Sequence, residues 1–470
     1  MMDSYTFQQK DDPILKVFAL LFVPIMSYQC WIFQELPNYY LQHLLFYPCL
    51  LLFFWSFYKK YFNIIEAWRI VAPFLPWLAA IVAIYTFISW RSASLHPLEN
   101  QSVVYGTALS VIQFLIQIPF LFFFAFIIKI LLSNLKLYKY LLYGLAFSFT
   151  FIVAISIIQF AYSLLSFSGF GVDSQFFILW QKLLNWIGSN LESHWQGGVY
   201  DFYSKGSYTT TLKRTNGIYE EASILATWAG IFFLPIFSAL YFLGGKYKKL
   251  FLYGILGSFL LMFVSVSVTG FLLISAACVY YLLVFLYNRQ KKGLALVVFI
   301  LWALAGIMVF AYVHEKKFKL PRTVITLATL EQIEKNPLGV GKNWFSTYIT
   351  SSHVGKKEYR RDIDPEIRIW FKKKEVPRLS ILAALVLEYG FIIFAIALYL
   401  VFRIWKKMEL AYKANPEDPL LKFSHTLFPM WIFMSLAAAV TSYDLRSPYF
   451  CFPLFIVFAA PLVIQKESND

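Results

Sequence analysis

The stretch VYGTALSVIQFLIQIPFLFFFAFIIKILL, Val104 to Leu132, decides the fold class of this 470-residue chain. It holds one charged residue, Lys129, close to its end. A helix needs about 20 mostly apolar residues to cross the hydrocarbon of a bilayer. This stretch is long enough to cross, and eleven others in the chain resemble it in length and composition.

The composition agrees, with 59% hydrophobic, 20% aromatic and 14% charged residues. Soluble domains carry about 25% charged residues, so the chain is expected to be an integral membrane protein. The seventh and eighth predicted spans form one apolar block, which we divide at SVTG, Ser267 to Gly270, where a tight turn is plausible. The predicted spans are 14–33, 41–58, 68–90, 104–132, 138–167, 222–243, 249–267, 269–287, 294–313, 380–403, 423–442 and 447–465.

The distribution of Lys and Arg predicts the orientation. Short cytoplasmic loops are rich in these residues. With the N-terminus inside, the inner segments carry nineteen of them and the short outer loops carry two, Arg91 and Arg446. Both termini are therefore predicted to be cytoplasmic. The apolar run that follows the polar N-terminus lacks an A-x-A-like cleavage site, so that run is interpreted as a retained span.

The predicted organisation is an all-α polytopic membrane protein of about twelve transmembrane helices with two large outward-facing loops. Its parts are five helices in 1–167, an outer loop at 168–221, helices six to nine in 222–313, an outer loop at 314–379 and helices ten to twelve in 380–470. The first loop contains an amphipathic stretch at 176–186, which suits a helix in the membrane interface. The second loop carries 15 Lys and Arg against 8 Asp and Glu.

The second loop contains EKNPLGVGKNWF, Glu334 to Phe345, which looks like a phosphate-binding loop. It lacks the first glycine of G-x-x-x-x-G-K and the following Ser or Thr, and its predicted position is outside the cell membrane, where ATP is not expected. We therefore interpret it as a proline–glycine turn before an aromatic anchor, with Gly339 and Gly341 shaping the turn.

Charged side chains gather at the predicted outer face. An arginine guanidinium matches phosphate oxygens in a bidentate way, so a cavity open to the outer leaflet with several arginines suits a lipid diphosphate. For the run KKK at 372–374, a solvated surface is the preferred interpretation. The residues at this face are Arg214, Glu220, Glu221, Arg322, Lys342, Arg378, Asp444 and Arg446, with Glu388 about two turns below it.

Metal and cofactor sites are not predicted. Asp362 and Asp364 form a D-x-D, which occurs in metal-dependent sugar transferases but also arises often in polar loops. The histidines are scattered without ligand spacing, and the four cysteines lie in apolar runs, where free thiols behave as small hydrophobes. No cofactor and no nucleic-acid partner is expected.

Three phrases, in this order, resemble the superfamily of O-antigen polymerases and O-antigen ligases. RTNGIYEEAS (Arg214 to Ser223) resembles the segment that opens a span, with Glu221 at the glutamate position and Ala222 replacing the usual proline. PRTVITLATLEQIEKNPLGVGKNWF (Pro321 to Phe345) resembles an arginine-led helix and its N-P-L-G-V-G turn. RLSILAALVLEYG (Arg378 to Gly390) resembles the entry to the next span. The likeness covers roughly residues 210–405.

This resemblance implies a GT-C-like helical bundle in the bacterial inner (cytoplasmic) membrane. It implies that a glycan on undecaprenyl diphosphate is moved en bloc onto the next lipid-linked repeat unit, with inversion and without a nucleotide sugar or metal. Arg214, Arg322 and Arg378 would clamp the diphosphate, and Glu221 would orient or deprotonate the acceptor hydroxyl. Residues expected to bind substrate are Lys342, Glu220, Glu388, Asp444 and Arg446. Partners would be membrane lipids, the lipid-linked oligosaccharide and a chain-length regulator, although the basic loop also suits an acidic glycan.

Two departures favour the polymerase over the ligase. Ligases often carry a histidine just before the span that begins here at Ser380, where this chain has Arg378. Many members also have a serine–arginine pair in the hairpin, where this chain has SVTG. The ligase, which transfers the glycan to lipid A core, remains an alternative. A flippase for lipid-linked oligosaccharides and a non-catalytic scaffold are others, and a flippase would carry charges inside several spans.

Overall fold

The computed structural model describes residues 12–27, 44–59, 61, 63–97, 102–133, 135–167, 215, 217–219, 222–315, 321–353, 370–373, 376, 378, 380–439 and 451–467. Within these ranges the regular structure is helical, and no strand occurs among them.

We number fifteen helices of the described residues in chain order, and two short 3₁₀ turns lie at Ala72–Phe74 and Lys342–Trp344. They are α1 Pro13–Ser27, α2 Phe46–Tyr58, α3 Ile64–Val71, α4 Leu75–Leu95, α5 Val103–Leu132, α6 Leu135–Phe167, α7 Ala222–Leu243, α8 Lys248–Val264, α9 Val268–Asn288, α10 Lys292–Glu315, α11 Pro321–Lys335, α12 Phe345–Ser351, α13 Ile381–Ala414, α14 Pro419–Ala439 and α15 Phe452–Glu467.

Each predicted span overlaps a described helix, although parts of the spans 14–33, 41–58, 423–442 and 447–465 lie outside the described residues. Seven of the described helical segments are long and apolar enough to cross a membrane: Ala67–Leu95, Val103–Leu132, Leu137–Ala161, Ala222–Leu243, Val268–Asn288, Leu382–Ala414 and Pro419–Ala439. Four shorter apolar helices lie in α1, α2, α10 and α15. The helical, membrane-embedded character is thereby confirmed, whereas twelve crossings, the GT-C-like arrangement and the orientation stay predictions.

Helix α7 lies at the centre of the bundle. Its apolar window is 89% buried, far more than that of any other span in the described chain. Trp228, Phe232 and Phe233 are fully buried in the main core. The same six residues, Trp228–Phe233, form a π-helical turn, with α-helix on both sides. Helices α8 and α14 pack against this segment.

The long apolar block divides close to the predicted hairpin, and its first helix ends three residues before the predicted end at 267. Helix α8 ends at Val264, and the Ser267 side chain accepts a hydrogen bond from Gly270 N–H at 2.9 Å, which caps α9 at Val268. Gly270 is therefore inside the first turn of α9. A Cβ there would lie 2.3 Å from the Met262 carbonyl oxygen, so Gly270 permits a close helix approach and is not part of the turn itself.

The segment 314–379, which is predicted to face outward and is still called the second outer loop, is structured where it is described. Helix α11 begins at Pro321 and ends at Lys335, followed by a turn that leads to Trp344, which is fully buried. This confirms the predicted arginine-led helix, turn and aromatic anchor. Trp344 belongs to a second core with residues of α11, α12 and α13. The predicted amphipathic stretch at 176–186 lies outside the described residues.

Candidate functional site

The second outer loop and α13 are joined backbone to backbone. Three hydrogen bonds connect them: Val340 N–H to Leu387 O (2.8 Å), Gly341 N–H to Glu388 O (2.9 Å) and Phe391 N–H to Pro337 O (3.0 Å). We call this contact, between residues 337–341 and 387–391, the backbone clasp. Backbone groups at membrane depth need internal partners, and the clasp supplies them at a point where α13 is irregular.

The irregularity is Gly390, whose φ of 76° and ψ of 165° interrupt α13. Such a conformation belongs essentially to glycine. A Cβ on Gly390 would lie 2.0 Å from the Leu338 carbonyl oxygen, and one on Gly339 would lie 2.6 Å from Gly390 N. Gly339 and Gly341 also have positive φ values of 97° and 80°. The prediction that these two glycines shape the turn is confirmed.

Arg378 and Glu388 form a buried ion pair beside the clasp. The Nε atom of Arg378 donates to Oε1 of Glu388, whose side chain is 0% exposed. The Nη2 atom donates to the Lys342 carbonyl oxygen at 3.1 Å, and the guanidinium lies over the Phe345 ring at 5.1 Å. A buried carboxylate is stable only when paired, so Glu388 holds Arg378 in one orientation. Nη1 has no polar partner among the described residues, and the Arg378 side chain is 26% exposed.

A hydroxyl network continues from Lys342 into the bundle. Lys342 N–H donates to the Tyr85 hydroxyl at 3.2 Å, and that oxygen lies 3.0 Å from the Ser110 hydroxyl. Ser110 in turn lies 3.1 Å from the Ser89 hydroxyl. All three hydroxyl side chains are buried. The peptide groups on either side of Lys342 are therefore fixed from two directions, by Tyr85 of α4 and by Arg378.

Helix α4 and the residue after it supply residues that were not predicted to belong to the site. Arg91 lies near the C-terminal end of α4, where Nη2 reaches Asn336 Oδ1 at 3.4 Å, and the carbonyl oxygen of His96, just after the helix, accepts from Trp344 Nε1 at 2.9 Å. A signal existed in the sequence: Tyr85, Ser89 and Ser92 recur at helical spacing on one face of an apolar span. That face packs against the second outer loop and α13.

Gly217, in the first motif phrase, is held by a side chain. Gln159 of α6 bonds both sides of Gly217: Oε1 accepts from the Gly217 N–H at 2.8 Å, and Nε2 donates to its carbonyl at 2.9 Å. We call this contact the glutamine clamp. Gly217 has φ of 62°. Two residues on, Tyr219 is fully buried and stacks on Trp228 with ring centres 5.7 Å apart.

The predicted site residues fall into three groups. Arg378, Lys342 and Glu388 meet at the backbone clasp. Arg322 lies in the first turn of α11, which packs against α13. For Arg322 the structure describes the backbone only. The remaining predictions lie outside the described residues: Arg214, Glu220, Glu221, Asp444 and Arg446 of the candidate site, and Asp362 and Asp364 of the D-x-D.

The described part of the site suits an anion more than a cation. Arg378 pairs with the buried Glu388 carboxylate and bonds the Lys342 backbone carbonyl, and Arg91 reaches Asn336 of the same loop. A partly exposed guanidinium edge binds phosphate or carboxylate oxygens well. Among the described residues, no three His, Cys, Asp or Glu side chains are grouped as metal ligands would be.

An apolar groove of about 410 Å³ lies next to this site. It runs between α4 and α5 and is lined by Thr86, Trp90, Thr107 and Val111, among others. Trp90 directly precedes Arg91 in the chain.

Comparison with protein-family models, with curated proteins and with solved structures gives no match. The resemblance to O-antigen polymerases and ligases therefore remains a hypothesis based on the three phrases of the sequence.

Proposed function

We propose that this protein polymerises lipid-linked oligosaccharide repeat units at the outer face of a bacterial inner membrane. The donor is a glycan on undecaprenyl diphosphate, and the acceptor is the non-reducing end of the next repeat unit. The proposal rests on the ordered motif phrases and on one observation at Arg378. Glu388 and the Lys342 carbonyl hold the Arg378 guanidinium in one orientation, and its Nη1 atom, which has no polar partner among the described residues, can bind an anion.

A fixed arginine is what this reaction needs. An acceptor hydroxyl oxygen attacks the anomeric carbon, the bond from that carbon to the diphosphate oxygen breaks, and the configuration inverts. Undecaprenyl diphosphate leaves with the bonding electron pair, and the hydroxyl proton passes to a base, for which Glu221 is the candidate. The leaving group gains negative charge, so cations held in place before the reaction lower the barrier without reorganisation.

A second candidate is transport of the lipid-linked oligosaccharide. The observation in its favour is the break in α13 at Gly390, because discontinuous helices form many transporter binding sites. Glu388 lies seven residues after Ile381, about 10 Å along the helix at 1.5 Å per residue, which is short of the midplane of a core about 30 Å thick. That depth favours a site open to one face.

The direct test is an assay with purified protein in detergent, an undecaprenyl-diphosphate-linked repeat unit and a chelator, analysed on a gel. Wild-type protein should give a ladder of products. Arg378→Gln should abolish it, but that change also removes the positive charge that pairs with the buried Glu388 carboxylate. The double variant Arg378→Gln/Glu388→Gln removes both charges, so it should fold and still give no ladder.

A matched control is Arg289→Gln, since Arg289 also lies over a phenylalanine ring, Phe285 at 4.6 Å, but at the far end of α9. This variant should polymerise like wild type. A full ladder from the folded double variant would refute the arginine's role. Transfer to lipid A core in place of a ladder would identify a ligase, and reconstituted transport of the substrate without any glycan transfer would identify a flippase.

A further inference from the structure

A second groove, larger than the one near the candidate site, lies between α1 and α2. Its volume is about 820 Å³. The two helices run antiparallel along it, so Pro13 and Ile14 of α1 face Trp55 and Tyr58 of α2 at one end. The walls are apolar and open to the surroundings, and Leu51 in the middle of α2 is 72% exposed.

The groove has the length of one membrane leaflet. Its described lining runs from Pro13 to Ile25 of α1, which is about 18 Å of helix at 1.5 Å per residue. Half of a hydrocarbon core about 30 Å thick is about 15 Å. A transmembrane helix of a partner protein needs about 20 residues and would extend beyond such a groove. A lipid tail matches its length.

Polar side chains lie at the end of the groove near Pro13, which we call the mouth of the groove. Asp12 accepts hydrogen bonds from Trp55 Nε1 at 2.9 Å and from the Tyr61 hydroxyl at 3.2 Å, both through Oδ2. These bonds fix the Trp55 ring. The Lys59 ammonium lies over that ring at 4.9 Å and over the Tyr58 ring at 5.6 Å.

The charges at this mouth favour an anionic headgroup. Asp12 is occupied by Trp55, by Tyr61 and by the backbone N–H of Ile14 at 2.9 Å. Lys59 forms no ion pair with the described residues, and its ammonium lies over two rings that line the groove. Basic residues between transmembrane helices on the cytoplasmic side bind anionic lipid headgroups.

We infer that the groove between α1 and α2 binds one anionic phospholipid, with its tail along the groove and its phosphate at Lys59. Under the predicted orientation this lipid belongs to the inner leaflet. The site is independent of the proposed polymerase reaction, because it lies at other helices and uses other residues.

The test is native mass spectrometry of the full chain in detergent, titrated with phosphatidylglycerol or with phosphatidylcholine of the same acyl chains. Wild-type protein should bind phosphatidylglycerol about fivefold more tightly, the effect expected of one lysine close to an anionic headgroup. Lys59→Gln should remove this preference, and Lys59→Arg should keep it. Leu51→Trp, which fills the groove, should weaken binding of both lipids.

The matched control is Lys248→Gln, because the Lys248 ammonium lies over the Tyr241 ring at 4.8 Å without lining either of the two grooves. It should retain the wild-type preference. Equal binding of the two lipids by wild type, an equal loss in the Lys59 and Lys248 variants, or unchanged binding in Leu51→Trp would each overturn the inference. A melting curve for each variant shows that it is folded.

Discussion

The backbone clasp and the glutamine clamp fix two motif segments by opposite means. At the clasp, main chain meets main chain through three hydrogen bonds around Gly390 and Gly339. At the clamp, a single side chain, Gln159, satisfies both the N–H and the carbonyl of Gly217. Each contact includes a glycine with positive φ. The difference predicts that the clasp tolerates no added atom, whereas the clamp depends on the chemistry of one amide.

The largest effect is expected from Gly390→Ala. The new Cβ would lie 2.0 Å from the Leu338 carbonyl oxygen, and φ of 76° is strained for alanine. We expect a loss of roughly 4 kcal/mol or more in the free energy of unfolding, because backbone strain and a clash with rigid main chain add together. Thermal melting in detergent, followed by tryptophan fluorescence, measures it.

Gly293→Ala is the control for that change, since a Cβ there meets no atom within 4 Å. It should melt at the wild-type temperature or slightly above, because alanine favours helix over glycine. Comparable melting of the Gly390 and Gly293 variants would show that the clasp is not formed.

The clamp should break with Gln159→Leu. This change keeps the size of the side chain but leaves the buried N–H and carbonyl of Gly217 without their amide partner. The expected cost is about 2 kcal/mol, and the proposed polymerase activity should fall if it depends on the first motif phrase. Gln117→Leu, at a half-buried glutamine in α5, should change neither the melting temperature nor activity.

A smaller effect is expected from Tyr85→Phe. It removes the hydroxyl that accepts from Lys342 N–H and lies beside Ser110, but it leaves the ring packing and the clasp in place. We expect a loss of about 1 kcal/mol. Tyr105→Phe, at an exposed tyrosine of α5, should have no effect on the melting temperature. A loss as large as that of Gly390→Ala would mean that the clasp depends on this hydroxyl.

The smallest effect is expected from the Asp12 carboxylate, an anchor that accepts hydrogen bonds from Trp55 and Tyr61. Partial burial raises the pKa of Asp12, but hydrogen bonds from Trp55, Tyr61 and the N–H groups of Ile14 and Leu15 outweigh it and hold the pKa below the ordinary 3.8. The carboxylate therefore stabilises the fold above the unfolded-state pKa and ceases to do so as pH falls through the folded-state value.

Melting curves recorded between pH 6 and pH 3 test this anchor. Below the unfolded-state pKa the melting temperature of wild type should decline by about 1 °C more than that of Asp12→Asn, a small change because the carboxylate is only partly buried. Identical pH profiles for the two proteins would show that the four hydrogen bonds do not form in solution.

The helices could be predicted from the sequence, because hydrocarbon thickness imposes a minimum length on every apolar run. The SVTG division was predictable for the same reason, although not the role of Gly270, which depends on its distance from Met262. The turn at Gly339 and Gly341 was recognisable from its proline and glycines.

The partners of the site residues were not predictable. Glu388 was expected among substrate-binding residues, and its bond to Arg378 becomes evident only once both are placed in space. Gln159 and Tyr85 lie in apolar spans 58 and 257 residues away from the backbone groups that they bond. Pairings over such separations leave no trace in local composition or periodicity.

The π-helical turn at Trp228–Phe233 has a consequence for how α7 presents its first residues. One residue in an α-helix corresponds to a rotation of about 100°, and a π-helical turn contains an extra residue relative to an α-helical one. Deleting a single residue from this turn would leave the hydrophobicity of α7 nearly unchanged. Because the π-helical turn carries its extra residue over the same rotation, that deletion would restore a regular α-helix and keep the segment Ala222–Thr227 facing the same way, whereas a deletion in an α-helical part of α7 would rotate it by about 100°.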